Sequence, residues 1–144
     1  MKTSLIHSSY DKTSGISTVG LGSKYGVFWG TSTLLDEDKD FESEIRGCTY
    51  AEMKAYIKIK KAALKEERAI LKGMNNLYKS IMNYKDKDIV TVHYMNKQIN
   101  IQAQKVTQLE EDIENLEIGL KNVIGKNDAV LKKIQKKYTS KAGE

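Results

Sequence analysis

The chain has 144 residues, of which 30% are charged and 40% apolar, and it carries a formal net charge of +5. That balance belongs to a globular chain rather than a disordered one, and no apolar run approaches the roughly 20 residues of a membrane span. A single cysteine, Cys48, excludes an internal disulfide and a cysteine-based zinc site.

The positive charge is unevenly placed. Residues 1–48 hold five basic and seven acidic side chains, whereas residues 49–144 hold nineteen basic and twelve acidic. Only Arg46 and Arg68 among the 24 basic residues are arginines, the side chain suited to bidentate phosphate or guanine recognition. Sequence-specific nucleic-acid reading is therefore not expected. The Lys, Asn and Ile bias without any proline fits an AT-rich coding sequence, such as that of a low-GC bacterium or its phage. Met1–Ile6 is followed at once by polar residues and does not read as a secretory signal, so a cytoplasmic protein is expected, in the host cytoplasm if phage-encoded. A chain of this size buries a modest core alone, which makes oligomerisation a natural source of further burial.

Near residue 48 the sequence changes character. Residues 4–10, 16–21 and 25–35 are rich in Ser, Thr, Val, Ile and aromatics, separated by Asp11–Gly15 and Gly22–Lys24, which have turn chemistry. They predict a three-stranded antiparallel meander, which needs a helix or a second copy against one face. In the third strand Tyr25, Val27 and Trp29 fall on one face, Phe28 and Leu34 on the other. Two readings follow: either Phe28 or Trp29 plugs the sheet against the first helix, or the opposite face displays an aromatic for stacking a base or sugar. Asp36–Asp40 has alternate acids like a calcium loop. Phe41 and Gly47 occupy the positions of the required glycine and bidentate glutamate, so it reads as a charged connection.

Thr49-Tyr50-Ala51-Glu52 forms a capping box and predicts a helix over about 49–84, with Cys48 and Met53 as its hydrophobic staple. Tyr50, Met53, Ile57, Leu64, Leu71, Met74, Tyr78 and Ile81 recur at 3–4 spacing, interrupted by Lys60 and Glu67. A second row of Tyr56, Ile59, Ala63, Ile70 and Leu77 implies more than one packing partner. Tyr84–Asp88 reads as a turn. Residues 89–101 have either the composition of a β-hairpin or the start of a second helix, which is expected from about 96 onward. There Met95, Ile99, Val106, Leu109, Ile113, Leu116, Leu120 and Val123 share one heptad register, with Gln102 as the exception. Gly125–Asp128 either stops that helix or places Asn127 in the core. The final lysines, Lys132 to Lys141, read as a solvated basic end.

The predicted class is thus α+β: a small N-terminal antiparallel β-meander with an acidic connector (1–48), then a long antiparallel, coiled-coil-like helical hairpin serving oligomerisation (49–144). No catalytic residues, metal ligands or cofactor are expected. His7 and His93 are too sparse for a metal constellation, Cys48 and His93 carry no nucleophile signature, and Gly20–Gly26 lacks phosphate-loop spacing. Ligand-binding candidates are Arg46, leading into the positive end of the first helix, the aromatics Phe28 and Trp29, and Arg68, Tyr84, Lys85 and His93 if protomers pack head to stalk. They point to an anionic, nucleotide-like small molecule.

In the order of its elements, a short N-terminal sheet followed by long helices in an AT-rich chain, the sequence resembles the phage anti-defence sponges that sequester nucleotide signals, including the anti-Thoeris type. The resemblance implies tight, non-enzymatic capture of a nucleotide-derived signal by a symmetric homo-oligomer. The alternative is a coiled-coil structural or assembly protein of a phage or bacterium, binding itself or a protein partner, with no membrane role.

Overall fold

The structure is a computed structural model that describes residues 2–33 and 41–142, with the side chains of 2–33 and 44–123. Three strands, β1 (Ser4–Asp11), β2 (Ile16–Ser23) and β3 (Gly26–Thr33), form an antiparallel sheet in the order β1-β2-β3, followed by helices α1 (Phe41–Met82) and α2 (Ile89–Ala142). The α+β class with a helical hairpin is therefore as the sequence predicts. Leu34, the acidic connection at 36–40 and the side chains of Asn127 and the C-terminal lysines lie outside the described residues.

Turn chemistry sets the strand register. Asp11 accepts from the Thr13 amide and the Ser14 hydroxyl, both at 2.9 Å, and the Gly15 amide closes the turn onto the Asp11 carbonyl at 2.8 Å with φ +72°. Lys24 and Tyr25 make a two-residue loop between the paired Ser23 and Gly26, so Tyr25 sits in the turn and not in the third strand. A register shift between Leu5 and His7 bends the start of β1.

The helix boundaries differ from the sequence reading. Helix α1 starts at Phe41 rather than Thr49, and Thr49 is an interior residue whose hydroxyl donates to the Ile45 carbonyl at 2.8 Å. Neither the capping box nor the Cys48–Met53 staple is used as an N-terminus. Helix α1 ends at Met82, and α2 begins at Ile89, which removes the β-hairpin alternative for 89–101. Asp88 caps α2: its carboxylate accepts from the Val90 amide at 3.0 Å and the Thr91 hydroxyl at 3.1 Å. The backbone of α2 continues through Gly125 to Ala142.

The chain divides into two compact units, Met1–Lys58 with Asn115–Glu144, and Ile59–Glu114. In the first, Ser17, Val19 and Leu21 of β2 and Gly30 and Ser32 of β3 are buried on the sheet face toward α1. Gly30 lies against the α1 backbone at Ala51 and Ala55, both fully buried, so three small residues allow backbone to approach backbone. Tyr50, Ile57 and Leu120, with Met53 and Leu116, form the core between the helices of this unit. In the second unit Leu64, Val106 and Ile113 are buried with Leu71 and Leu109 packed against them, as the two heptad rows predict. The two polar interruptions meet: Gln102 is buried and donates to the Glu67 carbonyl at 3.0 Å and to the Glu67 carboxylate.

Candidate functional site

Two features of the first unit have the geometry to receive a partner or ligand. One is the sheet face turned away from α1. Alternation puts Trp29 and Val27 of β3 on this face, opposite Gly20 and Gly22 of β2, and brings His7 of β1 into the same cross-strand row. Glycine at position 20 is what lets the indole lie down: a Cβ there would stand 2.8–3.0 Å from three of its ring carbons. Gly22 plays the same part under Ile6, whose side-chain carbons would lie 3.0–3.2 Å from such a Cβ. The His7 and Trp29 rings are 5.7 Å apart, tilted by 56°. Trp29 nevertheless remains 45% exposed, and Ile6, Ile16 and Val27 are exposed with it. At the adjoining turn the Lys24 ammonium lies 5.0 Å from the centre of the Tyr25 ring. Among the described residues the face is an exposed aromatic and aliphatic surface, able to stack or to make apolar contact.

The other feature is a cleft of about 190 Å³ on the opposite side of the sheet. Leu21, Met53, Ile57 and Leu116 give it apolar walls, and Thr3, Thr49, Glu52 and Tyr56 add polar groups. A carboxylate here opposes a phosphorylated ligand and favours an apolar group or one carrying a hydrogen-bond donor.

The sequence-predicted residues do not converge on either feature as a set. Phe28 is half-buried on the α1 side of the sheet while Trp29 is exposed on the other, so the two aromatics lie on opposite faces as alternation predicts. Arg46 is half-buried inside α1, five residues past its start; the helix amides around it are already within the helix, and the anion site expected at residues 46–49 is not formed. Arg68 pairs with Glu110 across α1 and α2 at 3.0 Å on the exposed surface. Tyr84 and Lys85 lie exposed in the connection between the helices, and His93 is exposed in the second turn of α2. Phe28, Trp29 and Arg46 belong to the first compact unit, and Arg68, Tyr84, Lys85 and His93 to the second.

Sequence reasoning missed His7, Gly20 and Glu52 as site residues. The two-residue loop at Lys24–Tyr25 is enough to place Gly20 opposite Trp29, so that pair was legible; His7 joins it through the unbroken register that runs from Asp11 and Ile16 at the β1–β2 turn, and the bulge shifts only Leu5 and Ser4 beyond it. Among the described residues no group of three or more His, Cys, Asp or Glu side chains is placed to hold a metal ion, and no helix is long and apolar enough to cross a membrane. No protein-family model matches the chain, and neither a curated protein nor a solved structure shows significant similarity to it. What the fold defines is a class by architecture alone: an α+β protein that joins a three-stranded meander to a long helical hairpin.

Proposed function

We propose that this chain is a non-catalytic assembly protein whose main partner is another copy of itself. The observation that carries this reading is the apolar surface left uncovered in the unit Ile59–Glu114. Ile70 and Leu77 of α1 and Ile89, Val90, Tyr94 and Ile101 of α2 are all exposed, Ile89 by 81% and Val90 by 75%. These lie outside the buried seam of Leu64, Val106 and Ile113; of the second apolar row, Ile59 and Ala63 are buried, and only Ile70 and Leu77 are left over from the packing of the helix pair. Contiguous exposed apolar surface marks an interaction site in soluble chains, and burying one such side chain fully contributes roughly 1.5–3 kcal/mol.

Analytical ultracentrifugation of the whole chain over a broad concentration range tests the reading. Association is expected, weakened at least tenfold by Leu77→Lys or Ile89→Lys. A single monomeric species at every concentration would refute it.

A second reading, capture of a nucleotide-derived signalling molecule by the oligomer, is favoured by the half-exposed Trp29 ring beside His7. Trp29 is the only tryptophan, so its fluorescence reports stacking directly. Quenching by adenine and guanine nucleotides that is lost in Trp29→Leu supports it; no quenching, together with native mass spectra free of phosphorylated small molecules, counts against it.

A further inference from the structure

A triplet recurs along α1 at heptad spacing. Leu64, Leu71 and Tyr78 continue one another in the seam row; each is preceded by an apolar residue, Ala63, Ile70 or Leu77, and followed by a lysine, Lys65, Lys72 or Lys79. One residue along a helix is a turn of about 100°, so the preceding and following residues flank the seam on opposite sides. Helix α2 has the same arrangement. Tyr94 and Ile101 precede the half-buried Met95 and the buried Gln102, while Asn96, Ala103 and Glu110 follow Met95, Gln102 and Leu109.

In an antiparallel helix pair, the positions that precede the seam on both helices fall on one side of the hairpin, and those that follow it on the other. The ion pair between the helices agrees. Arg68, three residues from Lys65 and four from Lys72, shares the lysine side of α1, and its partner Glu110 is on the following side of α2. The unit Ile59–Glu114 therefore has a charged side, with Lys65, Arg68, Lys72, Lys79 and Glu110, and a side on which Ile70, Leu77, Tyr94 and Ile101 lie exposed together. Two charges border that apolar group at the end where Glu67 meets Gln102: Glu66, four residues before Ile70, and Lys105, four after Ile101. Both are exposed, and among the described residues neither takes part in a hydrogen bond or an ion pair.

We propose that two copies pack apolar side against apolar side, α1 of each on α2 of the other, about a two-fold axis running along the hairpin, to make an antiparallel four-helix bundle. This rests on the self-assembly reading and names the contact by which the copies join. Ile70 then meets Ile101 of the second copy, Leu77 meets Tyr94 and Glu66 meets Lys105. Charge selects both the occupant and its orientation. A second copy brings a lysine to each Glu66 and turns both lysine rows out to solvent, whereas contact through the opposite side would press two cationic rows together. Turning one hairpin end for end would set α1 on α1 and part Glu66 from Lys105. An apolar centre with charges at its border is also the usual anatomy of an interface.

Sedimentation of the full chain at low salt tests the contact through a charge-swap cycle. Glu66→Lys and Lys105→Glu each place two like-charge pairs in the dimer and are expected to weaken it about tenfold, while the double variant returns to within about twofold of the parent. Neither change touches the seam, and far-ultraviolet circular dichroism checks that each variant keeps the fold. Orientation is read by disulfide cross-linking in a Cys48→Ser chain, which has no other cysteine. A mixture of Ile70→Cys and Ile101→Cys chains should cross-link faster than either alone. Additive charge effects in a chain that still associates, or preferred cross-linking of Ile70→Cys with Leu77→Cys, would overturn this contact and leave the self-assembly reading standing. A parent chain that is monomeric at every concentration would overturn both.

Discussion

Replacing Gly30 by alanine adds one carbon where there is no room for it. The new Cβ would overlap the Ala51 carbonyl oxygen and lie 2.8 Å from the Ala55 amide nitrogen and 2.9 Å from the Ala51 carbonyl carbon. All three are backbone atoms of α1, so no side chain can rotate aside, and relief requires the sheet and helix to separate. Separation loosens the packing around Val19, Leu21 and the Ala51–Ala55 face. Overpacking typically costs 1–3 kcal/mol, and with backbone on the receiving side we expect about 3 kcal/mol or more. That is a large share of the roughly 5–15 kcal/mol that holds a domain together. Gly73→Ala supplies the matched control, since nothing lies within 4 Å of a Cβ in that helical position and the change should stabilise by about 0.5–1 kcal/mol. Urea unfolding followed by far-ultraviolet circular dichroism and by Trp29 fluorescence measures both. A Gly30→Ala variant within about 0.5 kcal/mol of the parent, the usual range for an innocuous surface change, would refute the close approach of β3 and α1.

Three further outcomes follow from named contacts. Asp88→Ala removes the cap that holds the first amides of α2 and should cost about 1 kcal/mol, read as faster exchange of the Val90 amide and a lower urea midpoint. Gln102→Leu leaves the half-buried Glu67 without its donor and should destabilise by about 1–3 kcal/mol, whereas Glu67→Leu with Gln102→Leu together should recover most of that loss; additive effects in a double-mutant cycle would mean that the two do not interact. Arg68→Ala breaks an exposed ion pair with Glu110 and should change stability by less than about 1 kcal/mol at moderate salt, so a larger loss would show that Arg68 does something beyond this pairing.

Much of the architecture was legible from local patterns because those patterns have local causes. Alternating β-formers broken by Asp, Ser and Gly gave the strands, and recurring apolar residues at 3–4 spacing gave both helices and the seam residues Leu64, Leu71, Val106, Leu109 and Ile113. Helix ends were less legible. Thr49 and Glu52 satisfy a capping box in sequence, yet a cap is needed only where the preceding residues leave the helical path, and residues 41–48 do not. For the candidate site, the assignment of Trp29 and Phe28 to opposite faces followed from alternation, while the exposure of the tryptophan did not, since it depends on which face α1 covers.

Determined by sequence alone are the α+β class, the meander, the paired helices and the absence of a cysteine framework, all set by near-neighbour backbone preference and periodicity. Tertiary structure decided what the polar exceptions are for. Glu67 and Gln102 are 35 residues apart and become partners when the helices align, and Lys54 and Lys58, ordinary surface lysines in sequence, become the cap of a sheet edge because α1 runs beside β3. Such roles arise from contacts between residues far apart in the chain, which no window along the sequence contains.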